Sequence, residues 1–485
     1  MSATELDKAA RPAVLETASP AAATFAERPA SPASSVAAKL LAFYILLVVS
    51  RVLDVSTIWF LHIPMILLVV LIITTILRGD LRTLFSSNIS RWFLAFTAWV
   101  VMCFPLSTWR GASVGSVESA LQALAVYLII VQLVRTESDW RTVVGAYAYA
   151  VLIASILSFF VGRLVEGRIA LVNGSFADPN EFALILVIGL PFWWLKASRT
   201  GALGKPVYFA LTVPIFVVFA RTGSRSGLIA LCCLFAIVLL FANLGQKLLI
   251  ATLALVAVVA ATAFLPDYLK VRFTTVFAPH TGERLDYETK QRLGGDIGSS
   301  EGRKMLLIQS IQMTFEHPIF GVGPGVFAAA SWDERKRTSG QAGILLVSHN
   351  TYTQISSETG IPGFILFAAT LFLCLKYTIS DYRAAKRANA DLAKNGFYFF
   401  ASLSALSVGI FFLSVGYTHT LAVMFALSAC LHNIAKRTLS GQPAEAVAPV
   451  IPSPWQKSQA PIQNPSVPVP GRFRSLRGSR TRMTR

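Results

Sequence analysis

Long apolar runs alternate with short polar segments along most of the chain. From Lys39 onward, runs of roughly 16 to 25 residues recur, each long enough for a helix to cross a hydrocarbon core about 30 Å thick. About twelve such runs meet this criterion, with approximate centres at Ile45, Leu67, Thr97, Val126, Ile153, Ile185, Ile215, Leu234, Val256, Leu366, Ala405 and Phe425. The first and sixth are short and the sixth starts at a proline, which leaves open a count of about eleven with one re-entrant segment. The pattern predicts an all-α integral membrane protein.

The composition agrees with a membrane location. Of the 485 residues, 54% are hydrophobic and 14% are charged, whereas a globular domain has about 25% charged residues. The composition therefore argues against a soluble enzyme, a DNA-binding protein or a disordered scaffold. All five cysteines lie in apolar stretches without a CxxC pair or a His/Cys metal spacing, so neither a zinc site nor a disulfide framework is predicted.

The basic residues predict the orientation of the chain. The formal net charge is +18, and Lys and Arg accumulate in the cytoplasmic loops of membrane proteins. With the N-terminus inside, the basic loops all fall on one side; they contain Arg78, Arg82, Arg91, Arg135, Arg141, Lys196, Arg199, Lys205, Lys247, Arg383, Lys386, Arg387 and Lys394. The Arg-rich C-terminal tail falls on the same side. We therefore predict that both termini are cytoplasmic.

This orientation divides the chain into five parts. The Ala/Pro/Ser-rich start does not resemble a cleavable signal peptide, because its apolar stretch begins too late. The long outer segment contains an amphipathic pattern around residues 301–316, with apolar positions at Met305, Leu306, Ile308, Ile311 and Met313, and is expected to fold as a small helical cap. The predicted parts are a disordered cytoplasmic tail (1–37), nine transmembrane helices (38–265), a large periplasmic loop (266–348), three further helices (349–435) and a disordered basic tail that contacts anionic lipid (436–485).

Two arginines stand on the outer side, where basic residues are usually scarce. Arg221 and Arg225 flank Thr222-Gly223-Ser224 between two apolar spans. They would by default extend to lipid headgroups. Two guanidinium groups beside Gly and Ser, which let backbone N–H groups approach a ligand, also form a plausible anion cradle for phosphate oxygens.

Acidic and amide side chains open the sixth span on the same side. Asp178 is expected to cap the helix, with Pro179 at its first position and Glu181 completing a capping box. Capping does not explain why Asp178, Asn180 and Glu181 occur together at the membrane boundary. There they are candidates to bind sugar hydroxyls or to orient an arginine.

Three weaker motifs follow in the outer segment and the next span. Gly321-Val322-Gly323-Pro324-Gly325 lacks the Lys-Ser/Thr of a phosphate-binding P-loop and predicts tight turns. Arg303, near the start of the amphipathic helix, would by default be a solvated residue. His349 and Asn350 lead into a span that contains Glu358, and a histidine at a helix entrance is more often structural than catalytic.

The order and spacing of these motifs resemble the O-antigen ligase and polymerase superfamily. The similarity covers roughly residues 174–410 and rests on three features taken together. These are the Arg-Thr-Gly-Ser-Arg turn, the long outer loop with an Arg-led helix and a Gly-x-Gly-x-Gly turn, and His-Asn-x-Tyr-x-x-x-x-x-Glu-x-Gly-x-x-Gly entering a span.

The resemblance implies a metal-independent glycosyltransferase without cofactors in the bacterial inner membrane. Such an enzyme takes a glycan from an undecaprenyl-diphosphate carrier on the periplasmic face and passes it to a glycan or lipid acceptor, with no nucleic acid involved. By this resemblance Arg221, Arg225 and Arg303 would bind the diphosphate and His349 would be the catalytic base. Asp178, Asn180, Glu181, Asn350 and Glu358 would bind sugar or support the site.

Alternative functions remain open at the level of sequence. A ligase and a polymerase share these motifs, and the lack of a motif specific for lipid A or for a protein acceptor slightly favours polymerisation or an exopolysaccharide role. A transporter or flippase is the alternative from another class. It should show charges at the membrane centre or broken helices in two related halves, whereas these spans are nearly free of charge and show no internal repeat.

Overall fold

The computed structural model describes residues 35–56, 59–78, 85, 87–171, 174–274, 287–339 and 345–441. Of the predicted tails, residues 1–34 and 442–485 lie outside this description. The described part of the chain is built from α-helices and one short antiparallel hairpin, β1 (Arg163–Val165) and β2 (Arg168–Ala170). The helices are α1 (Val36–Ser50), α2 (Ile63–Arg78), α3 (Asn88–Cys103), α4 (Arg110–Leu133), α5 (Glu137–Val161), α6 (Pro179–Ala197), α7 (Gly204–Ala210), α8 (Val213–Thr222), α9 (Arg225–Phe241), α10 (Leu244–Phe264), α11 (Asp267–Thr274), α12 (Tyr287–Glu316), α13 (Phe327–Ser339), α14 (Thr351–Ala388), α15 (Ala390–Gly409) and α16 (His419–Leu439).

Seven helical segments among the described residues are long and apolar enough to cross a membrane. They are Asn88–Leu106, Arg110–Leu133, Glu137–Val161, Pro179–Ala197, Gly204–Thr222, Thr351–Ala388 and Ala390–Phe412. Four shorter apolar helices accompany them, over Val36–Ser50, Ile63–Leu77, Arg225–Phe241 and Leu244–Val256. Every one of the predicted span centres lies within a helix. The all-α membrane architecture is therefore supported, while the count of twelve spans remains a prediction.

Helix α6 lies at the centre of the bundle. It is apolar on all sides, and 83% of its most apolar window is buried, as expected for a helix surrounded by other helices. Small residues allow this close packing: a Cβ at Gly189 would lie 2.8 Å from Val151 of α5, and one at Gly409 would lie 2.3 Å from Leu184. The tight packing fixes the N-terminus of α6, where Asp178 and Asn180 are found.

Hydrogen bonds between helix ends define two faces of the bundle. On one face, called here the site end, Arg168 of the hairpin contacts Asn180 at the start of α6, and Thr351 at the start of α14 bonds to Leu413 O. On the other face, called here the opposite end, Ser35 N donates to Asp139 Oδ1 at 2.8 Å and Arg199 contacts Asn395. Trp140, near the start of α5, also donates from Nε1 to Leu427 O in the middle of α16.

The segment 266–348 contains α11, α12 and α13. Helix α12 ends at Glu316 as predicted but begins at Tyr287, earlier than its apolar pattern indicates. Leu306 and Met313 are buried with Phe327 of α13. The other predicted apolar positions, Met305, Ile308 and Ile311, are exposed. The helix is therefore amphipathic as predicted, but only part of its apolar face packs within the chain.

Candidate functional site

The turn that joins α8 and α9, residues 221–225, is called here the basic turn. Gly223 ends α8 with φ +57°, and a Cβ there would lie 2.7 Å from Leu269 of α11. Ser224 then caps α9 by accepting a hydrogen bond from Gly227 N at 3.1 Å. Arg221 is exposed on the last turn of α8, and Arg225 is half-buried at the first position of α9. Both predicted phosphate-binding arginines are thus on a turn of fixed backbone conformation.

Two buried arginines hold the backbone of the basic turn. Arg168 Nε donates to Thr222 O at 2.7 Å, and Arg272 Nε donates to Gly223 O at 2.7 Å. Their side chains come from β2 and from α11 and are only 5% and 7% exposed. Carbonyl groups at a helix C-terminus carry partial negative charge, so guanidinium donors there are stabilising. The sequence analysis missed both residues.

Asn180 links the start of α6 to the basic turn. Its Oδ1 accepts from Arg168 Nη2 at 2.7 Å and from Ser224 Oγ at 3.0 Å, and the residue is 6% exposed. Asn180 thus contacts an arginine, while its part in binding sugar or supporting the site remains a prediction. That arginine is Arg168 of the hairpin.

Asp178 is the N-cap of α6. Its Oδ1 accepts from Asn180 N at 2.6 Å and from Glu181 N at 3.3 Å, and Pro179 occupies the first helical position. These contacts are the ones that the capping pattern predicts. Asp178 and Glu181 are both half-buried, so each presents part of its side chain to the site end.

His349 lies between Ser348 and the first turn of α14 in a left-handed backbone conformation. Its φ is +52°, an arrangement that costs about 1–3 kcal/mol in a residue other than glycine and often marks a functional position. Neighbouring residues hold it there: Ser348 Oγ lies 3.0 Å from Ser414 Oγ, and Thr351 Oγ1 donates to Leu413 O at 2.6 Å. The imidazole is therefore carried on a fixed backbone.

Two predicted site residues from distant parts of the sequence, Arg303 and Asp178, act electrostatically on His349. Burial, and then the charge of Arg303, lower the pKa of His349 from its usual 6.5, while the charge of Asp178 raises it. The net direction is downward, so the imidazole is neutral at neutral pH and able to accept a proton. Arg303 itself is half-buried on α12.

Asn350 and Glu358 are engaged within the protein. Asn350 caps α14 by accepting from Tyr352 N at 2.9 Å and Thr353 N at 3.2 Å. Glu358 is 3% exposed, and its carboxylate accepts from Tyr417 Oη at 2.8 Å and from Phe327 N at 3.4 Å. These contacts position neighbouring backbone, and the role of both residues in sugar binding or support of the site remains a prediction.

The glycine turn, residues 321–325, docks into a break in α14. Its three glycines have φ values of +66°, +113° and +75°, as tight turns require. Val322 N donates to Ser357 O at 2.8 Å and Gly323 N donates to Glu358 O at 3.0 Å. Helix α14 is interrupted at Gly360, with φ +72° and ψ −178°. The glycine turn therefore fastens the end of α12 to the middle of α14.

A cavity of about 350 Å³ separates α12 from α14 next to this attachment. Its lining is mainly apolar and includes Ile311, Phe315, Tyr352, Ile361 and Phe364. Tyr352 belongs to the first turn of α14, which follows His349 in the chain. Among the described residues, no group of three or more His, Cys, Asp and Glu side chains is arranged to hold a metal ion.

Comparison with known proteins identifies the segment that carries most of this site. Residues 208–368 match the family described as O-Antigen ligase. The match includes the basic turn, Arg303, the glycine turn, His349 and Glu358, whereas Asp178–Glu181 precede it. No curated protein matches the chain. The resemblance drawn from the motifs is therefore confirmed over residues 208–368: this segment matches the O-antigen ligase family and lies in a chain with several helices long and apolar enough to cross a membrane.

Proposed function

We propose that this protein transfers or polymerises glycan from an undecaprenyl-diphosphate carrier at the periplasmic face of the bacterial inner membrane, during synthesis of O-antigen or an exopolysaccharide. The proposal is carried by the half-buried His349, held in a left-handed backbone conformation and subject to the opposite charges of Arg303 and Asp178. Three separate segments thus supply a cation, a neutral imidazole and a carboxylate. In such a transfer the cation opposes the charge of the diphosphate and the imidazole accepts a proton.

The arginines stabilise the leaving group in this mechanism. The anomeric C–O bond of the donor breaks and its electron pair leaves with the lipid diphosphate, which becomes more negative in the transition state. Fixed cations at the departing oxygens lower the barrier, because they are already oriented before the charge develops. Arg303, Arg221 and Arg225 supply these cations, and guanidinium forks suit phosphate oxygens in particular.

His349 acts on the acceptor. A sugar hydroxyl is a poor nucleophile until its proton is removed, and a neutral imidazole takes that proton as the new C–O bond forms. Attack on the face opposite the leaving diphosphate inverts the anomeric configuration. With the arginines opposing the diphosphate charge and a histidine as base, the proposed reaction requires no metal.

The apolar cavity between α12 and α14 accommodates the prenyl part of the donor. Tyr352, in the first turn of α14, lines this cavity. Ile311 and Phe315 of α12 also line it and are exposed at the surface. An isoprenoid chain in this cavity would keep the diphosphate at the site end while the glycan extends into water.

The proposal is tested by an assay of transfer from a purified undecaprenyl-diphosphate-linked glycan, with release of undecaprenyl diphosphate as the readout. Arg303→Lys keeps the charge and loses the bidentate fork, so we expect it to lose most transfer while protein accumulation is unchanged. Lys304→Gln alters the exposed neighbouring residue and serves as the matched control.

Near-normal transfer by Arg303→Lys would contradict the diphosphate role. Full loss of transfer in the presence of a metal chelator would contradict metal independence. The length distribution of the product distinguishes a polymerase, which yields a ladder of repeats, from a ligase, which moves one glycan to a different acceptor.

A further inference from the structure

A second cavity lies at the opposite end of the bundle, away from the candidate site. It has a volume of about 440 Å³ and is formed by α1, α5 and the end of α6. Two basic side chains line it, Arg141 of α5 and Lys196 of α6. The proposed glycan transfer makes no use of this cavity.

The ammonium group of Lys196 lies in this cavity, beside α5. Side chains on a helix tilt toward its N-terminus, and the N-terminus of α6 is at the site end. The ammonium group consequently reaches back along α5 and lies 4.7 Å from the centre of the Tyr149 ring. A Cβ at Gly145 would lie only 3.1 Å from Nζ, so the glycine leaves the room that the lysine occupies.

The positive charge in the cavity exceeds what the protein itself neutralises. Among the residues that the structure describes, no carboxylate is within ion-pair distance of Lys196. Arg141 contacts Glu137 at 3.7 Å, but the same carboxylate oxygen also accepts from Arg199 at 3.4 Å and from Asn395 at 3.0 Å. The cavity therefore attracts an anion.

The rest of the lining combines hydroxyl-bearing and apolar side chains. Ser138 and Thr142 come from α5, as Arg141 does, while Phe43 and Leu46 come from α1. From Ser138 to Tyr149 the helix advances about 16 Å. A basic, hydroxyl-bearing region bounded by an apolar wall matches a lipid phosphate with an acyl chain beside it.

We propose that this cavity binds an anionic phospholipid from the membrane leaflet at the opposite end. The Arg141 fork and the Lys196 ammonium hold the phosphate diester, and Phe43 and Leu46 contact an acyl chain. A zwitterionic phosphatidylcholine binds less well, because its choline cation would sit beside the same two basic groups. This inference is independent of the proposed glycan transfer.

The test uses the full chain in a neutral detergent, with dioleoyl phosphatidylglycerol and dioleoyl phosphatidylcholine as probes. Lipid retention measured by native mass spectrometry gives their relative affinities on the same sample. We expect phosphatidylglycerol to bind at least about tenfold more tightly than phosphatidylcholine, because the choline cation would lie beside two basic groups whereas the glycerol headgroup is uncharged. The double variant Lys196→Gln/Arg141→Gln should abolish this preference.

The matched control is Lys386→Gln/Arg383→Gln, which removes the same two charges from exposed positions of α14 at the same end. It should keep the preference. If the cavity double variant fails to fold, Arg141→Gln alone keeps the Lys196 packing and should still reduce the preference. An unchanged preference in a folded cavity variant would overturn the proposal, as would displacement of phosphatidylglycerol by excess inorganic phosphate, which would indicate a site for the free anion.

Discussion

The guanidinium of Arg168 donates to the side-chain oxygen of Asn180 across 2.7 Å, and this hydrogen bond joins the β-hairpin to the first turn of α6. The same guanidinium holds the carbonyl of Thr222. One buried side chain thus sets the spacing between the hairpin, α6 and the basic turn. The backbone position of Arg221 and Arg225, the arginines proposed to bind phosphate, therefore depends on this contact.

Replacement of Arg168 is expected to destabilise the protein. Arg168→Met removes the donors to two buried acceptors, so the free energy of unfolding should fall by about 1–3 kcal/mol, with a lower transition temperature in detergent. Arg163→Met alters an exposed arginine of the same hairpin and should change stability by less than about 0.5 kcal/mol. Equal stability of the two variants would show that the contact contributes little.

Replacement of His349 is expected to affect turnover more than folding. His349→Ala should reduce transfer by roughly 10²–10⁴-fold, the usual contribution of a general base, while the protein still accumulates and binds its lipid-linked donor. His317→Ala, at an exposed position after α12, is the matched control. Full activity of a folded His349→Gln variant would eliminate His349 as the base.

The pH dependence of transfer should respond in opposite directions to two neighbouring charges. Protonated His349 cannot accept a proton, so transfer falls as the pH drops through its pKa, which lies below 6.5. Asp178→Asn keeps the helix cap but removes the charge that raises the pKa of His349, and the acid limb should move to lower pH. Arg303→Gln removes a charge that lowers this pKa, and the limb of its residual activity should move to higher pH.

Both shifts are read from full pH profiles of the transfer rate. If neither substitution moved the acid limb, then the limb would belong to another group. If both moved it the same way, a change in conformation would be the better explanation.

A substitution at the break in α14 should be costly. A Cβ at Gly360 would lie 2.1 Å from Ile319 O, and its φ of +72° disfavours other residues. Gly360→Ala should therefore lower the free energy of unfolding by at least about 2 kcal/mol. Gly302→Ala is the control, because nothing lies within 4 Å of the added methyl group in α12 and alanine favours a helix. Similar transition temperatures for both variants would contradict this account.

The predicted orientation can be tested with reporter fusions. A reporter after Gly295 should be periplasmic, whereas one after Lys436 should be cytoplasmic, because basic loops collect on the cytoplasmic side. Alkaline phosphatase and green fluorescent protein give opposite signals in the two compartments. The same compartment for both positions would refute the topology.

Local features of this fold could be predicted from the sequence, because their causes are local. The apolar runs predict helices at every expected centre, and the Asp178-Pro179 pair predicts a helix start. Tight turns at residues 321–325 follow from their glycines. In each case, the residues that cause the structure are neighbours in the chain.

Contacts between distant segments could not be predicted in the same way. Arg168 and Arg272 are ordinary basic residues in short polar segments, and only the folded chain brings both to the basic turn. The early start of α12 was missed because residues 287–300 lack an apolar period. The resemblance selected Arg303 and His349, but their electrostatic interaction became evident only from the structure.

The attachment of α12 to α14 affects the position of Arg303. Just after the C-terminal end of α12, Pro318 O accepts a hydrogen bond from Ile361 N of α14 at 2.8 Å. Arg303 lies about 20 Å from this attachment along the axis of α12. Rotation of α12 by about 5° about this attachment would displace the Arg303 guanidinium by nearly 2 Å. A misplacement of about 1 Å can reduce the rate of a catalysed reaction about a hundredfold. In the proposed mechanism, alignment of Arg303 with the departing diphosphate therefore depends on contacts at the far end of the helix, so substitutions there should alter transfer without removing any residue of the candidate site.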